Sequence, residues 1–217
     1  MMMNLFNIFD PSTTIMNLKI NWMSTMITIM LLPNYLWIMP NRIYMIINLI
    51  MKFMNKEIML LYKSKFLKSP SFMFITLFIF IFMNNFISLF PYVFSSSSHM
   101  IFSMSLALPF WSFFIIMSIF KNTKQMISHL IPINTPIYLA PLMTIIETMS
   151  IMIRPMSLSI RLTANLIAGH LLMTLLNYNS LMMIIMMIQM FMMIFEICVA
   201  MIQSYVFSIL TSLYSSE

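Results

Sequence analysis

A chain of 217 residues that is 61% hydrophobic and only 7% charged stands far from the roughly 25% charged content of a soluble domain. Composition therefore excludes an ordinary soluble enzyme and makes lipid or protein interior the solvent of most side chains. The formal charge of +6 lies in short basic segments beside apolar runs, which fits the positive-inside pattern of membrane proteins and not a nucleic-acid surface.

In chain order, Met1-Met2-Met3-Asn4-Leu5 shows neither an Arg-rich presequence nor a small-residue cleavage site, so the chain is expected to be made where it inserts. Asp10-Pro11-Ser12 reads as a helix start, and the apolar run over 14–32 is expected to form a first crossing in which Lys19 must snorkel. Pro33 and Pro40 bracket a break. Over 41–66, Ile43, Ile46, Ile47, Ile50, Met54, Ile58 and Leu61 recur at three and four residues, with Arg42, Lys52, Asn55, Lys56 and Lys63 on the other side. This spacing predicts an amphipathic helix lying in the membrane interface.

A second crossing is predicted over 70–90, opened by Ser69-Pro70 and closed by Pro91, with the paired Asn84-Asn85 inside it. Ser95 to Ser98 make a short polar connection to a third crossing over 100–120, where Pro109 is tolerated because neighbouring helices can satisfy the freed carbonyl. Six basic residues lie between Arg42 and Lys68, and Lys121 and Lys124 follow the third crossing, whereas the 91–99 loop has none. Both basic loops are thus expected inside, which puts the N-terminus outside and, after five crossings, the C-terminus inside.

The last third is apolar over 137–176, where Pro141 and Pro155 interrupt but no loop does, and again over 181–213. Helices of these lengths, roughly 60 and 50 Å at 1.5 Å per residue, exceed a hydrocarbon core of about 30 Å. They must tilt, and the short Asn177-Tyr178-Asn179-Ser180 turn makes them a slanted hairpin. The expected fold is one all-α integral membrane domain over 1–217: three upright transmembrane helices, one amphipathic interfacial helix and a long, strongly tilted helical hairpin.

Few ionisable residues interrupt this hairpin. Arg161 heads a narrow seam: Asn165 lies one turn above it and Gly169, the single glycine of the chain, one turn above that, while Ala164 and Ala168 remove bulk beside it. An arginine at membrane depth costs from ~3 to more than 10 kcal/mol by different methods and needs a partner or water; a structural ion pair is the plainer alternative to a functional one. Glu147 returns to within about 40° of the Arg161 face some 21 Å back, with Arg154 between them, and His170 points to the opposite side. Gln189, Glu196 and Gln203 recur every seven residues, a polar stripe that drifts only about 20° per step. A buried Gln such as Gln189 is often a satisfied structural group. Glu196 is a carboxyl set among apolar residues, an arrangement that lets such a group exchange protons, and histidine titrates near neutral pH. Arginine cannot be deprotonated in a protein, so Arg161 can attract a carboxylate or block a proton but cannot relay one.

Together these segments resemble subunit a of the F-type rotary ATP synthases, in the form encoded by invertebrate mitochondria. The resemblance rests on Asn4-Leu5-Phe6 with Phe9-Asp10-Pro11-Ser12, Asn85-Phe86 with Leu89-Phe90-Pro91-Tyr92, Ser105-Leu106-Ala107-Leu108-Pro109, Ile146-Glu147-Thr148, Arg161-Leu162-Thr163-Ala164-Asn165 with Ala168-Gly169-His170, and Met201-Ile202-Gln203-Ser204-Tyr205-Val206-Phe207. It covers nearly the whole chain. Glycines common in similar sequences before Thr135-Pro136 and after Pro155 are absent, which bears on loop geometry. A codon usage rich in A and T, as in an organelle genome, would give the excess of Met, Ile, Phe, Asn and Lys.

The resemblance implies a non-catalytic proton-channel subunit in the mitochondrial inner membrane that takes no cofactor. Its partners would be a rotating ring of c subunits, the peripheral stalk and other small membrane subunits, and the lipid bilayer, with no nucleic acid. Arg161 would face the ring carboxylates and separate two aqueous half-channels. His170 and Glu196 would line the half-channel open to the intermembrane space, Glu147 the exit to the matrix, and Asn165 and Gln203 the region near Arg161. Gln189 and Arg154 are weaker candidates. Other classes fit less well: a haem protein needs histidines paired on facing helices, and His99, His129 and His170 fall singly in different segments. A secondary transporter would show related halves, and no such repeat is visible. Cys198 stands alone, which excludes an internal disulfide. The single glycine leaves no nucleotide-binding loop, so ATP chemistry would reside in other subunits.

Overall fold

The computed structural model describes residues 5–13, 18–31, 41–61, 70–90, 93–121, 123–131, 135–177 and 182–216. These residues form only helices, turns and loops, with helices α1 Ser24–Met30, α2 Arg42–Leu61, α3 Pro70–Ser88, α4 Met100–Lys121, α5 Thr123–His129, α6 Ala140–Asn177 and α7 Met182–Ser216. Four of them, α3, α4, α6 and α7, are long and apolar enough to cross a membrane. The all-α membrane architecture expected from composition is therefore the one observed.

Of the segment expected to make the first crossing over 14–32, residues 14–17 and 32 lie outside the described residues, and the described part is helical only from Ile20. Leu18 and Lys19 are not helical, and a short 3-10 turn at Ile20–Met23 leads into a seven-residue α1. At about 1.5–2 Å per residue, residues 20–30 reach roughly 20 Å, short of the hydrocarbon core. Polar side chains near the start compete for the backbone. The Ser12 N–H donates to Asp10 Oδ1 at 3.0 Å and holds that exposed carboxyl below its ordinary pKa. The Thr13 N–H and hydroxyl both donate to the Leu18 carbonyl, and the Asn21 amide reaches the Asp10 carbonyl at 3.4 Å. These bonds occupy backbone groups of Asp10, Ser12, Thr13 and Leu18 that a continuous helix would use itself. The α5 helix is likewise a feature that the basic 121–136 connection did not signal.

α2 packs its Met54–Ile58 side against α3 and α7, with Met54 and Ile58 buried and Ile50 and Met51 against the same cluster. Arg42, Lys52 and Lys56 stay exposed. The expected amphipathic face is present but is shared with the protein core. Residues 62–66, the rest of that expected helix, lie outside the described residues, as does the hairpin turn after Asn177.

α3 starts with Pro70, whose missing N–H costs nothing in a first turn. Phe78, Phe82, Phe86 and Phe90 stack at i, i+4 along it, with ring centroids 5.8–6.1 Å apart. Its other side carries buried Asn84, Asn85 and Ser88. This helix packs most extensively on α7, where Ala200, Ser204, Ser208 and Ser212 place a small residue at every fourth position, all buried. Small residues at that spacing let two backbones approach in the absence of a hydrophobic driving force. Their hydroxyls fold back onto carbonyls of their own helix, Ser204 onto Met201, Ser208 onto Tyr205 and Ser212 onto Ile209, at 2.8–2.9 Å. No hydroxyl there is left bare in an apolar surrounding.

The serine connection between α3 and α4 is not a solvated loop. Ser95 to Ser98 are all buried and pack on α3, α4 and α6, with the Ser95 hydroxyl donating to Ser98 Oγ and the Ser98 hydroxyl to the Ser95 carbonyl. α6 and α7, of 38 and 35 residues, would measure roughly 57 and 52 Å. Pro155 sits inside α6 without ending it, and Pro141 falls in its first turn. The two helices pack on each other, and α6 also lies along α4.

Candidate functional site

Around the small-residue seam, α6 presents one buried face and one exposed face. Leu158, Ser159, Leu162, Thr163 and Leu166 are buried and turn inward. Arg161 is exposed, as are Ser157, Ala164 and Ala168 beside it and Leu172 one turn beyond Ala168. A helical wheel of about 100° per residue puts these outward positions on one stripe. Arg161 thus projects from the outer surface of the chain between small residues, which leaves room for another helix. No carboxylate among the described residues is paired with it.

Arg154 lies seven residues earlier and within about 20° of the same face, but its environment is different. Its guanidinium stands 3.7 Å from the Glu147 carboxylate and 5.4 Å over the ring of Tyr214, near the end of α7. Sequence spacing alone could not separate the two arginines. Geometry does so, since one has a carboxylate of its own chain and the other is open to the outside.

Between α3, α6 and α7 lies an open-sided cavity of about 350 Å³, which Ala168 and Leu172 of the outward stripe also line. Its polar lining is Asn85 from α3, Asn165 from α6, and Glu196 and Gln203 from α7, set among Leu162, Leu166 and other apolar side chains. Glu196 is buried, and its Oε1 has no hydrogen-bond partner in the described protein; the same holds for Oδ1 of buried Asn85. Buried polar atoms left in this way in a roomy polar cavity are the setting in which water is held. Gly169 makes the arrangement possible: a β-carbon built there would lie 2.9 Å from Glu196 Oε1 and 3.0 Å from its Cδ.

The sequence-derived residues thus fall into separate groups. Asn165, Glu196 and Gln203 share the cavity. Gln189, two turns further toward the hairpin turn, is half-buried and outside it. His170 is half-buried beside Gly169, with Nε2 buried and unpartnered and its ring edge-on to Phe9 at 6.2 Å between centroids. Glu147 is with Arg154 toward the first turns of α6, far from the cavity along the helix. Asn85 is the site residue that sequence reasoning passed over. A doubled amide in a phenylalanine-rich crossing was the available signal.

The described elements define a multi-pass helical membrane protein with two overlong packed helices, a buried carboxyl in a polar cavity and an unpaired arginine on the outer face. The sequence matches the family described as ATP synthase A chain over residues 3–216. It is 72% identical over 214 residues to the ATP synthase F(0) complex subunit a of Rhopalosiphum padi, covering 99% of each chain. It is also 45% identical to the ATP synthase subunit a of Aedes aegypti and of Drosophila melanogaster, over 100% of this chain and 99% of each relative. The chain belongs to the ATP synthase subunit a family, in its invertebrate mitochondrial form. It is accordingly a proton-translocating stator subunit of the membrane sector and a multi-pass protein of the mitochondrial inner membrane.

Proposed function

We propose that this subunit forms two offset aqueous half-channels and that Arg161 couples proton passage through them to rotation of a ring of c subunits. The observation that carries the reading is the outward, unpaired Arg161. A guanidinium in hydrocarbon costs from ~3 to more than 10 kcal/mol, and no carboxylate among the described residues is paired with it, so we take the offsetting charge to come from outside. Carboxylates on a neighbouring ring supply it in turn, and the small residues Ala164 and Ala168 let that ring approach.

A proton from the intermembrane space passes His170 and Glu196 through the cavity lined by Asn85, Asn165 and Gln203. There it neutralises a ring carboxylate. The neutral group moves into lipid, where the ionised form would be expelled. After nearly a full turn it releases its proton toward the matrix past Glu147, and the restored anion is held by Arg161. Because arginine keeps its charge, no proton crosses directly between the half-channels. Each elementary charge transferred yields about 2.3 kcal/mol per 100 mV, which a leak would dissipate.

In this reading the N-terminus faces the intermembrane space and the C-terminus the matrix. The α6–α7 hairpin lies strongly tilted along the ring, while α2 rests in the matrix-side interface. The subunit performs no ATP chemistry itself and is anchored by the peripheral stalk and other small membrane subunits. The test is Arg161→Ala in the assembled complex, with proton-driven ATP synthesis as the measurement. Loss of synthesis is expected, and full synthesis would reject the coupling role.

A further inference from the structure

Glu147 and Arg154 are seven residues apart on α6, two helical turns or about 10.5 Å along the axis. Ion pairs on a helix ordinarily join residues three or four apart, so bridging two turns requires both side chains to lie along the helix surface. The structure gives a reason why they do. Arg154 rests on the ring of Tyr214, 5.4 Å from its centroid, and Tyr214 belongs to the far end of α7, which returns antiparallel beside the start of α6. A guanidinium over an aromatic face is attracted by the ring quadrupole and stacks on it through its own plane. The ring fixes the guanidinium, which in turn stands 3.7 Å from the Glu147 carboxylate.

We infer that Arg154 is a positioning residue for Glu147, seated by Tyr214, and that this three-residue latch across α6 and α7 sets where the Glu147 carboxylate meets departing protons. The inference rests on the proposed place of Glu147 in the matrix-side path. It assigns the second arginine of α6 a task distinct from that of Arg161. Arg154 acts within the chain and on one half-channel, whereas Arg161 acts outward on the ring. It also couples the exit to the register of the hairpin, since sliding α7 along α6 would carry Tyr214 away from Arg154 and release the carboxylate.

The assembled complex in proteoliposomes tests this, with ATP synthesis driven by an imposed potential and the pH on each side varied independently. Glu147→Gln is expected to lower the rate and change its dependence on matrix-side pH. Arg154→Gln should reproduce that change with a rate up to about 10²-fold below wild type, as displacement of a positioned group by about 1 Å does, and leave the dependence on outer-side pH as it was. Tyr214→Leu, which retains both charges, should shift the matrix-side dependence in the same direction. The Glu147→Gln, Arg154→Gln double variant should be no slower than Glu147→Gln alone, since the two act as one unit. If Glu147→Gln alters the matrix-side profile while Arg154→Gln and Tyr214→Leu keep the wild-type profile, the latch is overturned and the exit assignment stands. The latch is equally overturned if the double variant shows the product of the two single losses. A Glu147→Gln complex with wild-type behaviour overturns the exit assignment and the latch with it.

Discussion

The backbone of Gly169 backs directly onto the carboxyl of Glu196, with space for a hydrogen but not for a methyl, which would stand 2.9 Å from Oε1 and 3.0 Å from Cδ. The obstructing atoms belong to a side chain that can rotate, so Gly169→Ala should fold while moving the carboxylate out of its place in the cavity. Proton-driven synthesis is expected to fall by up to about 10²-fold, in line with the sensitivity of reacting groups to displacements of about 1 Å. Glu196→Asp, one methylene shorter, should recover part of that loss when combined with Gly169→Ala. Initial rates of ATP synthesis in the reconstituted complex decide the point; a double variant slower than Gly169→Ala would argue that crowding is not the cause.

Arg161→Lys keeps a positive charge at the outward position but changes its permanence. A lysine shifts its pKa readily when desolvated, whereas arginine stays protonated. The variant should therefore let some protons pass without rotation: synthesis falls more than about tenfold, while passive proton conductance through the membrane sector rises above that of the wild type. Conductance of the complex with rotation blocked is the measurement. A synthesis rate equal to wild type would mean that charge alone, without permanence, suffices.

Much of this architecture was legible because membrane helices announce themselves by length. α3 and α4 match the expected crossings over 70–90 and 100–120 within a residue or two, and the two overlong helices are visible in uninterrupted apolar runs. The site was legible where polar residues are scarce: Arg161, Glu196 and Gln203 stand out because hydrocarbon tolerates so few of them. Less legible was local polarity at the described residues 10–13 and 18–21, where Asp10, Thr13 and Asn21 bind backbone groups in place of helical partners. The short polar connection over Ser95 to Ser98 is present as expected, but its burial was not legible, because it depends on Ser95 and Ser98 bonding each other within the packed helices. The heptad of Gln189, Glu196 and Gln203 marks a face of α7 but not which part of it meets a cavity; that depends on α3, whose Asn85 is far away in sequence. The small-residue repeat Ala200, Ser204, Ser208 and Ser212 could have been read as the α3 contact from spacing alone.

Glu196→Gln leaves shape nearly unchanged and removes the ability to hold or release a proton. Because its Oε1 has no hydrogen-bond partner among the described residues, little is lost within the chain, and the complex should assemble normally. Proton flux from the outer side should drop by about 10²-fold, the lower end of what a positioned acid or base contributes, and its dependence on outer-side pH should flatten. Dye-monitored flux in vesicles measures both. An unchanged flux would remove Glu196 from the path and leave the cavity a packing defect.

Asn85 separates these two readings of the cavity from the opposite wall. Its side chain is almost fully buried, its Oδ1 is unpartnered, and it faces the same space as Glu196 from a helix that carries no other part of the proposed path. If the cavity holds water, the amide anchors it. Asn85→Leu, similar in size but without hydrogen-bonding groups, should then dry that wall and slow outer-side proton flux by roughly tenfold, while losing the amide's bonds to that water costs at most ~1–3 kcal/mol and assembly is kept. Asn85→Asp should restore flux, since it again offers water an acceptor. Thermal stability of the complex and proton flux, measured on the same preparations, give the answer. Lower flux in a complex that still assembles, with stability unchanged or slightly reduced, marks a hydrated passage, whereas flux equal to wild type in Asn85→Leu would show that protons reach Glu196 without passing this wall.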